Sequence, residues 1–290
     1  METKITSATK EVIISFDRPT VLIGERINPA GKKKLAESLK IGNMDIVKKE
    51  AIEQVKAGAD ILDVNVVVFG LDEVPLLPKA VQAVMEVTDT PLCIDSANAE
   101  ALKAALKIYK GKALVNSVSG EEKSLARVLP IIKEYGAAVV ALTQDDNGIP
   151  KDSQTRVNIA EKIINRAEQM GIPRENIVVD CLALAIGADP RSAVTGFETI
   201  NAVRQKFGVN MTLGASNISF GMPDRGYINA AYLAMMITAG VTCPVVNAAN
   251  VKAAILAIDL LLAKDKRARR YIEGFKARTA AAAAATLANK

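Results

Sequence analysis

The sequence predicts an α/β protein folded as a (β/α)8 barrel of the TIM type. Short apolar runs alternate with amphipathic stretches along nearly the whole chain. Strands that are apolar throughout and separated by helices are typical of a parallel sheet whose outer face is covered. Eight such units in about 250 residues match the count for a closed barrel. A doubly wound sheet is the alternative, but the chain lacks the GxGxxG fingerprint that often accompanies it.

The predicted strands are, in chain order, VLIGERI (21–27), ILDVNVV (61–67), LCIDS (92–96), ALVNSVS (113–119), AAVVALT (137–143), IVVDC (177–181), MTLGASN (211–217) and CPVVNAA (243–249). Amphipathic segments that predict helices follow several of them, for example 44–58, 99–111, 123–136, 158–171 and 225–240. Each of these segments closes on a glycine, which favours the left-handed conformation found after the last turn of a helix.

The chain length fits one domain of this class. The chain has 290 residues, of which 50% are hydrophobic, enough for a large core. No linker or change of composition appears before residue 265. We therefore predict a single domain over residues 1–290, with the barrel at about 20–265 and an alanine-rich helical tail after it.

Composition also indicates where the protein works. No apolar run approaches the roughly 18 residues of a membrane span, and the N terminus lacks the features of a secretion signal. The three cysteines lie in apolar runs, as reduced core thiols do in the cytoplasm. The net charge of +5 arises largely from a basic segment near the C terminus, which we interpret as a solvated helix face. We expect a cytoplasmic protein that binds neither membrane nor nucleic acid.

The chain contains no histidine. This excludes Ser-His-Asp and Cys-His catalysis, histidine-ligated zinc and a histidine general base. No predicted strand contains a lysine, so a Schiff-base barrel such as an aldolase is disfavoured. Asp63, Asp95 and Asp180 could ligate a hard cation, but each stands alone on its strand, so we predict no bound metal.

Polar side chains gather where the predicted strands end. The carboxyl ends of barrel strands meet at the mouth that carries the active site. The ring is rich in amides and carboxylates and poor in cations, which suits a flat polar heterocycle such as a pterin or a purine. Its members are Glu25, Asn28, Asp63, Asn65, Asp95, Ser96, Asn116, Ser117, Ser119, Thr143, Gln144, Asp145, Asp180, Ser216, Asn217 and Asn247.

Six motifs in order carry a family resemblance: IGERIN, DVNV, CIDSAN, VNSVSG, VVDCLAL and GASNISFGMPDR. Over residues 20 to 265 the chain resembles the pterin-binding methyltransferases. The resemblance is closest to methyltetrahydrofolate:corrinoid-protein methyltransferases and to the folate domain of cobalamin-dependent methionine synthase. It implies a barrel that binds tetrahydrofolate or 5-methyltetrahydrofolate as substrate and moves a methyl group between folate N5 and corrinoid cobalt, in a direction that the motifs do not specify.

The resemblance also implies roles for individual residues. Asn217 matches an asparagine that hydrogen-bonds near folate N5 and is the expected catalytic residue. The remaining residues expected to bind the folate are Asp95, Asn116, Asp180, Gly214, Ser216 and Arg225. Phe220 stands where some relatives carry a polar side chain. Four residues have a structural alternative beside a folate role, as partners that orient loops or turns, namely Glu25, Asp63, Asn65 and Ser219.

The absence of histidine also affects where the corrinoid is expected to be carried. Corrinoid-carrying domains of this system resemble a module whose DxHxxG histidine ligates cobalt, so we expect the corrinoid (cobalamin) to arrive on a separate protein that docks over the mouth. Relatives suggest a homodimer. Dihydropteroate synthase is an alternative pterin enzyme, although its signatures on the first two strands and its late histidine element are absent. A non-catalytic folate-binding barrel is another alternative.

Overall fold

The computed structural model of the protein describes residues 1–288, with side chains described up to residue 280. The strands are β1 Thr3–Thr6, β2 Glu11–Ile14, β3 Ile23–Ile27, β4 Ile61–Asn65, β5 Leu92–Asp95, β6 Leu114–Ser119, β7 Ala138–Leu142, β8 Ile177–Asp180, β9 Asn210–Thr212 and β10 Val245–Val246. Eight of them are parallel and pair in the order β10-β3-β4-β5-β6-β7-β8-β9.

Helices cover the outer face of this sheet. They are α1 Lys33–Lys40, α2 Asp45–Lys56, α3 Glu73–Met85, α4 Ala99–Ile108, α5 Glu122–Tyr135, α6 Ser153–Gln169, α7 Ser192–Phe207, α8 Arg225–Ala239, α9 Ala248–Leu261 and α10 Arg269–Ala288. The predicted (β/α)8 barrel is confirmed. The sequence predicted that α6 begins at residue 158, five residues after its observed start at Ser153. Asp152 caps the observed start by accepting a hydrogen bond from the Thr155 amide at 2.8 Å.

The barrel closes between β9 and β10. A parallel bridge joins Gly214 to Val245, and the Val245 amide donates to the Leu213 carbonyl at 2.9 Å. Here the structure corrects the sequence prediction, because β9 ends at Thr212 rather than continuing to Asn217. Residues Ala215–Ser219 form a 3-10 helix instead. The end of the predicted strand is therefore a turn that sits above the barrel.

An antiparallel hairpin, which sequence analysis did not predict, seals the base of the barrel. Strands β1 and β2 pair from Thr3↔Ile14 to Thr6↔Glu11. Ile5 and Ile14 are fully buried and belong to the core inside the barrel, together with Ile23, Ile61, Cys93, Leu114, Ala138, Val140, Val178 and Cys243. A larger apolar core lies between the strands and the helices.

The inward-facing side chains change from apolar to polar along five of the barrel strands. Successive side chains in a strand point to opposite faces, so residues two apart share a face. The apolar inner residues Ile23, Ile61, Cys93, Leu114 and Val178 are therefore followed on the same face, one step nearer the carboxyl end, by Glu25, Asp63, Asp95, Asn116 and Asp180. On these strands the barrel interior is therefore apolar near the base and polar at the mouth.

Ile14→Ala tests the role of the hairpin. Because Ile14 is fully buried in the core inside the barrel, its truncation should lower the free energy of unfolding by about 2–5 kcal/mol. Ile41, which is 80% exposed, gives the matched control, and Ile41→Ala should change the free energy of unfolding by less than about 0.5 kcal/mol. Urea unfolding measures both. Equal small effects would show that the hairpin does not stabilise the barrel.

Candidate functional site

Three neighbouring strands bring polar residues into register at the mouth. Strand pairing sets Asn65 beside Asp95 and Asp95 beside Asn116. The Asn65 amide donates to Asp95 Oδ2 at 2.9 Å, and the Asn116 amide donates to Asp63 Oδ1 at 3.3 Å. Asn65 Oδ1 also accepts from the Val67 amide. Both ends of the Asn65 side chain are therefore engaged within the protein, which fits the structural alternative of orienting Asp95.

Asp63 and Asp95 form a buried carboxyl pair. Only 3% of Asp63 is exposed, and burial together with the Asp95 charge raises its pKa well above the usual range. Burial raises the pKa of Asp95 to about 6, although the hydrogen bond from Asn65 opposes this shift. Of the two carboxyls, Asp63 therefore has the stronger preference for the protonated form. A protonated carboxyl, a carboxylate and two amides together offer both donors and acceptors to a ligand.

Asp180 supplies a further carboxylate on the opposite side of the mouth. Its Oδ1 accepts from the Leu182 amide at 2.8 Å, and burial raises its pKa to about 6. Arg156 supports the loop that follows: one guanidinium nitrogen donates to the Cys181 and Leu182 carbonyls at 3.0 and 3.1 Å. Sequence analysis missed Arg156, because a buried arginine on α6 that bonds only carbonyls leaves no motif.

The turn after β9 carries Asn217. Its side chain is exposed, and an added Cβ at Gly214 would lie 2.9 Å from its Nδ2 atom. Glycine at 214 therefore lets the Asn217 amide pack against the backbone of residue 214. Ser216 Oγ donates to Glu25 Oε2 at 2.9 Å, which ties the turn to β3. Burial raises the pKa of Glu25, while this hydrogen bond and nearby cations oppose the shift.

Arg225 and Ser219 brace the same turn. Arg225 Nε donates to Ser219 Oγ at 2.9 Å and its Nη2 donates to the Ser216 carbonyl at 2.8 Å. Ser219 is fully buried, and its hydroxyl also donates to the Ser216 carbonyl at 3.3 Å. Ser219 thus has its hydrogen bonds inside the turn, whereas Ser216 and Arg225 line a cavity at the mouth.

The mouth contains two cavities. One, here called the β6 cavity, has a volume of about 360 Å³ and is lined by Asp95, Asn116 and the serines that follow. The other, here called the β9 cavity, has a volume of about 580 Å³ and is lined by residues of β3, the β9 turn, α8 and α9. Asp180 and Asn217 line neither cavity, so the two cavities account for only part of the predicted ring.

A larger cavity of about 660 Å³ lies at the opposite end, between the N-terminal hairpin and the segment before α10. It contains none of the predicted site residues. Several of its charged groups are paired, as Arg18 with Glu2 and Arg270 with Asp259. We therefore place the site at the mouth. Within residues 1–288, no group of three or more acidic, cysteine or histidine side chains is arranged to hold a metal ion.

A family model described as pterin binding enzyme matches residues 24–247. The chain belongs to this family. It is 30% identical over 264 residues to a methylcorrinoid:tetrahydrofolate methyltransferase of Eubacterium limosum, covering 88% of this chain and 96% of that protein. It is 32% identical over 248 residues to a methionine synthase of Mycobacterium leprae, covering 81% of this chain but only 21% of that longer protein.

Solved structures agree on the fold. A dihydropteroate synthase from Xanthomonas albilineans superposes with a TM-score of 0.68 at 16% identity, covering 91% of this chain and all of that one. At this identity the likeness shows the fold alone. The resemblance predicted from the six motifs is confirmed, as is the prediction of an enzyme whose relatives are methyltransferases. Among residues 1–288 no helix is long and apolar enough to cross a membrane.

Asp180→Asn tests the buried carboxylate. The folded-state pKa of about 6 lies above the ordinary 3.8, so between these values the native state binds more protons than the unfolded state. The free energy of unfolding of the wild type should therefore fall as pH rises from about 4 to about 6, by about 3 kcal/mol for this group. The variant should lack that part of the fall, since an amide does not titrate.

Urea unfolding below and above this pH range measures the difference. Asp146→Asn removes a carboxyl group from an exposed loop position and controls for the loss of one aspartate. Parallel pH profiles for the wild type and Asp180→Asn would contradict the assigned environment of Asp180.

Proposed function

We propose that the protein transfers a methyl group between N5 of tetrahydrofolate and the cobalt of a separate corrinoid protein. The observation that carries this proposal is the convergence of Asp95, Asn116 and Asp180 at one mouth, with the exposed Asn217 amide on the turn above them. The name of the Eubacterium limosum relative, a methylcorrinoid:tetrahydrofolate methyltransferase, supports the same chemistry.

The pterin ring is the part of the folate that the mouth suits. Charged Asp95 and Asp180 accept hydrogen bonds from the ring N–H and exocyclic amino groups, since each is buried enough to favour a paired state. Asn116 is held by Asp63 through its amide nitrogen, which leaves its carbonyl oxygen for the ligand. Anchors on three strands fix the ring in its plane and set which edge faces Asn217.

Asn217 acts at N5. A tertiary amine is a poor leaving group, so the electron pair that N5 receives as the C–N bond breaks must be stabilised. The Asn217 amide donates a hydrogen bond to N5 and stabilises that pair without being a strong acid. When the methyl group leaves the folate, the N5–CH3 bond breaks, the electron pair of the reduced cobalt forms the new bond to the methyl carbon, and N5 keeps the pair of the broken bond and takes a proton from solvent. The same contact serves the reverse direction.

The corrinoid comes from a partner because none of the 290 residues is a histidine that could ligate cobalt. Large apolar side chains stand exposed on loops of the mouth, where they suit a docking protein. They are Phe69 after β4, Phe220 between β9 and α8, and Tyr227 in the first turn of α8, directly after that loop. The homodimer, the single domain and the cytoplasmic location expected from the sequence stay predictions.

Dihydropteroate synthase activity has less support. The solved synthases share the fold at 16–17% identity, and the chain lacks their sequence signatures. Synthesis of dihydropteroate, with no change at cobalt, would favour that alternative.

Two incubations test the proposal. The protein is mixed with 5-methyltetrahydrofolate and reduced cobalamin, and separately with tetrahydrofolate and methylcobalamin. We expect the cobalt absorption spectrum to change in at least one mixture, and either folate to raise the melting temperature by linkage. A folate-dependent rise in melting temperature without any change at cobalt, also with corrinoid protein present, would indicate a non-catalytic folate-binding barrel.

Asn217→Ala tests the catalytic residue. Loss of the donor at N5 should lower the rate of methyl transfer by about 10²- to 10³-fold, as the loss of one preorganised donor does. Folate binding should weaken by less than about tenfold, because the pterin anchors remain. Single-turnover kinetics and calorimetry separate the two effects. Asn158→Ala, at an exposed position of α6, is the control, and a normal rate in Asn217→Ala would refute the role.

A further inference from the structure

We propose that Arg156 is a positioning residue for Asp180: it holds the turn after β8 in the conformation that fixes one carboxylate oxygen and leaves the other to the pterin ring. This inference rests on the proposed function, because it takes Asp180 to be one of the pterin anchors. It goes further by giving a role at the site to an arginine that lines neither of the two cavities at the mouth.

The turn that follows β8 contains a leucine in the left-handed conformation. Leu182 has a φ of 59°, where the Cβ atom of a leucine crowds the backbone. In this conformation its amide points back to Asp180 and donates to the Oδ1 atom at 2.8 Å. One oxygen of Asp180 is thereby held by its own turn, and Oδ2 is left for an N–H group of a ligand.

Arg156 supplies the hydrogen bonds that hold this turn. Its Nη1 donates to the carbonyls of Cys181 and Leu182 at 3.0 and 3.1 Å, and its Nε donates to the Pro150 carbonyl at 2.9 Å. The Cys181 carbonyl and the Leu182 amide belong to one planar peptide unit. A bond that fixes the carbonyl therefore also fixes the N–H that Asp180 accepts, and it offsets the cost of the left-handed leucine.

Arg156 is also a buried charge close to Asp180. Only 1% of the arginine is exposed, and burial lowers its pKa, yet a guanidinium stays protonated at neutral pH. Asp180 and Asp152, the exposed cap of α6, favour its charged form through space. Its hydrogen bonds go to carbonyl oxygens, so the positive charge stays available to favour the carboxylate form of Asp180.

Three further titratable groups face Asp180, and each is neutral near pH 7. They are Cys181, Tyr232 of α8 and Cys243, which precedes β10, and burial raises the pKa of all three. Burial also raises the pKa of Asp180 to about 6, while the Leu182 amide and Arg156 oppose that rise. Because Arg156 carries the charge among these neighbours, its replacement should be measurable at Asp180.

Arg156→Gln tests the inference at Asp180 without any ligand. Glutamine removes the charge but keeps one donor for the buried carbonyls. The pKa of Asp180 should rise by about one unit or more, as the loss of a nearby opposite charge implies. Titration of the carboxyl carbon resonances by NMR measures it, with Asp180 assigned by the signal that Asp180→Asn lacks. Arg166→Gln, on the same helix with a side chain 40% exposed, is the matched control and should leave this pKa unchanged.

Calorimetry with tetrahydrofolate tests the consequence for the ligand. Near pH 8 both mouth carboxylates are ionised, and Arg156→Gln should weaken binding about tenfold, because the oxygen of Asp180 is no longer held in place. Added to Asp180→Asn, it should weaken binding no further than Asp180→Asn alone, since the arginine acts through that carboxylate. An arginine with a merely structural role would give additive losses and leave the pKa of Asp180 unmoved.

Arg156→Lys is the conservative variant. Lysine keeps the positive charge and a donor nitrogen but lacks the planar fork that also reaches Pro150. The pKa of Asp180 should therefore stay close to its wild-type value, and tetrahydrofolate affinity should lie between those of the wild type and Arg156→Gln. If Arg156→Gln does not fold, Arg156→Lys replaces it in the comparison with Asp180→Asn, and its loss of affinity should again vanish in that background.

The outcomes separate this inference from the proposed function. An unchanged pKa of Asp180 in Arg156→Gln, or losses of affinity that add to that of Asp180→Asn, would overturn the inference while folate binding stands. A wild type that binds no reduced folate would overturn the proposed function. The titration of Asp180 needs no ligand, so it would still decide whether Arg156 positions that carboxylate.

Discussion

The alternation of side chains along a closed parallel barrel is the constraint on which the site depends. Inside the barrel, Ile61, Cys93, Leu114 and Val178 form an apolar layer, and the residues two positions later form a polar one. A shift of one residue in β4, β5 or β8 would turn the aspartate of that strand out towards the helices. The hairpin below, through Ile5 and Ile14, keeps water from the base, so the polar layer meets solvent only from the mouth.

Burial against the apolar layer inside the barrel explains the raised pKa values of the carboxyl groups at the mouth. Asp95 and Asp180 stand on an apolar layer, and the desolvation that follows raises the pKa of each to about 6. Neighbouring amides then hold the carboxylates in fixed orientations, as Asn65 does for Asp95. A ligand whose edge carries N–H groups recovers the hydrogen bonds that burial removed. The cost of burial and the selectivity for a heterocycle thus have one origin.

The sequence alone was sufficient to predict the features that depend on local patterns of residues. Short runs that are apolar throughout identified all eight barrel strands, and the polar residues at their ends identified the mouth. It failed where contacts are distant in the chain. Strand β9 ends at Thr212, and the turn that follows is tied to β3 through Ser216 and Glu25, which are 191 residues apart. The roles of the hairpin and of Arg156 could not be recognised from local sequence. The hairpin packs inside the barrel, and Arg156 bonds the loop after β8.

The central claim is that the pterin binds at the mouth with N5 at the Asn217 amide. A crystal structure of the complex with 5-methyltetrahydrofolate tests it most directly. The account predicts ring contacts to Asp95, Asn116 and Asp180, with N5 within hydrogen-bond distance of Asn217 Nδ2. A pterin bound at the base of the barrel, or bound at the mouth with N5 turned away from Asn217, would contradict it.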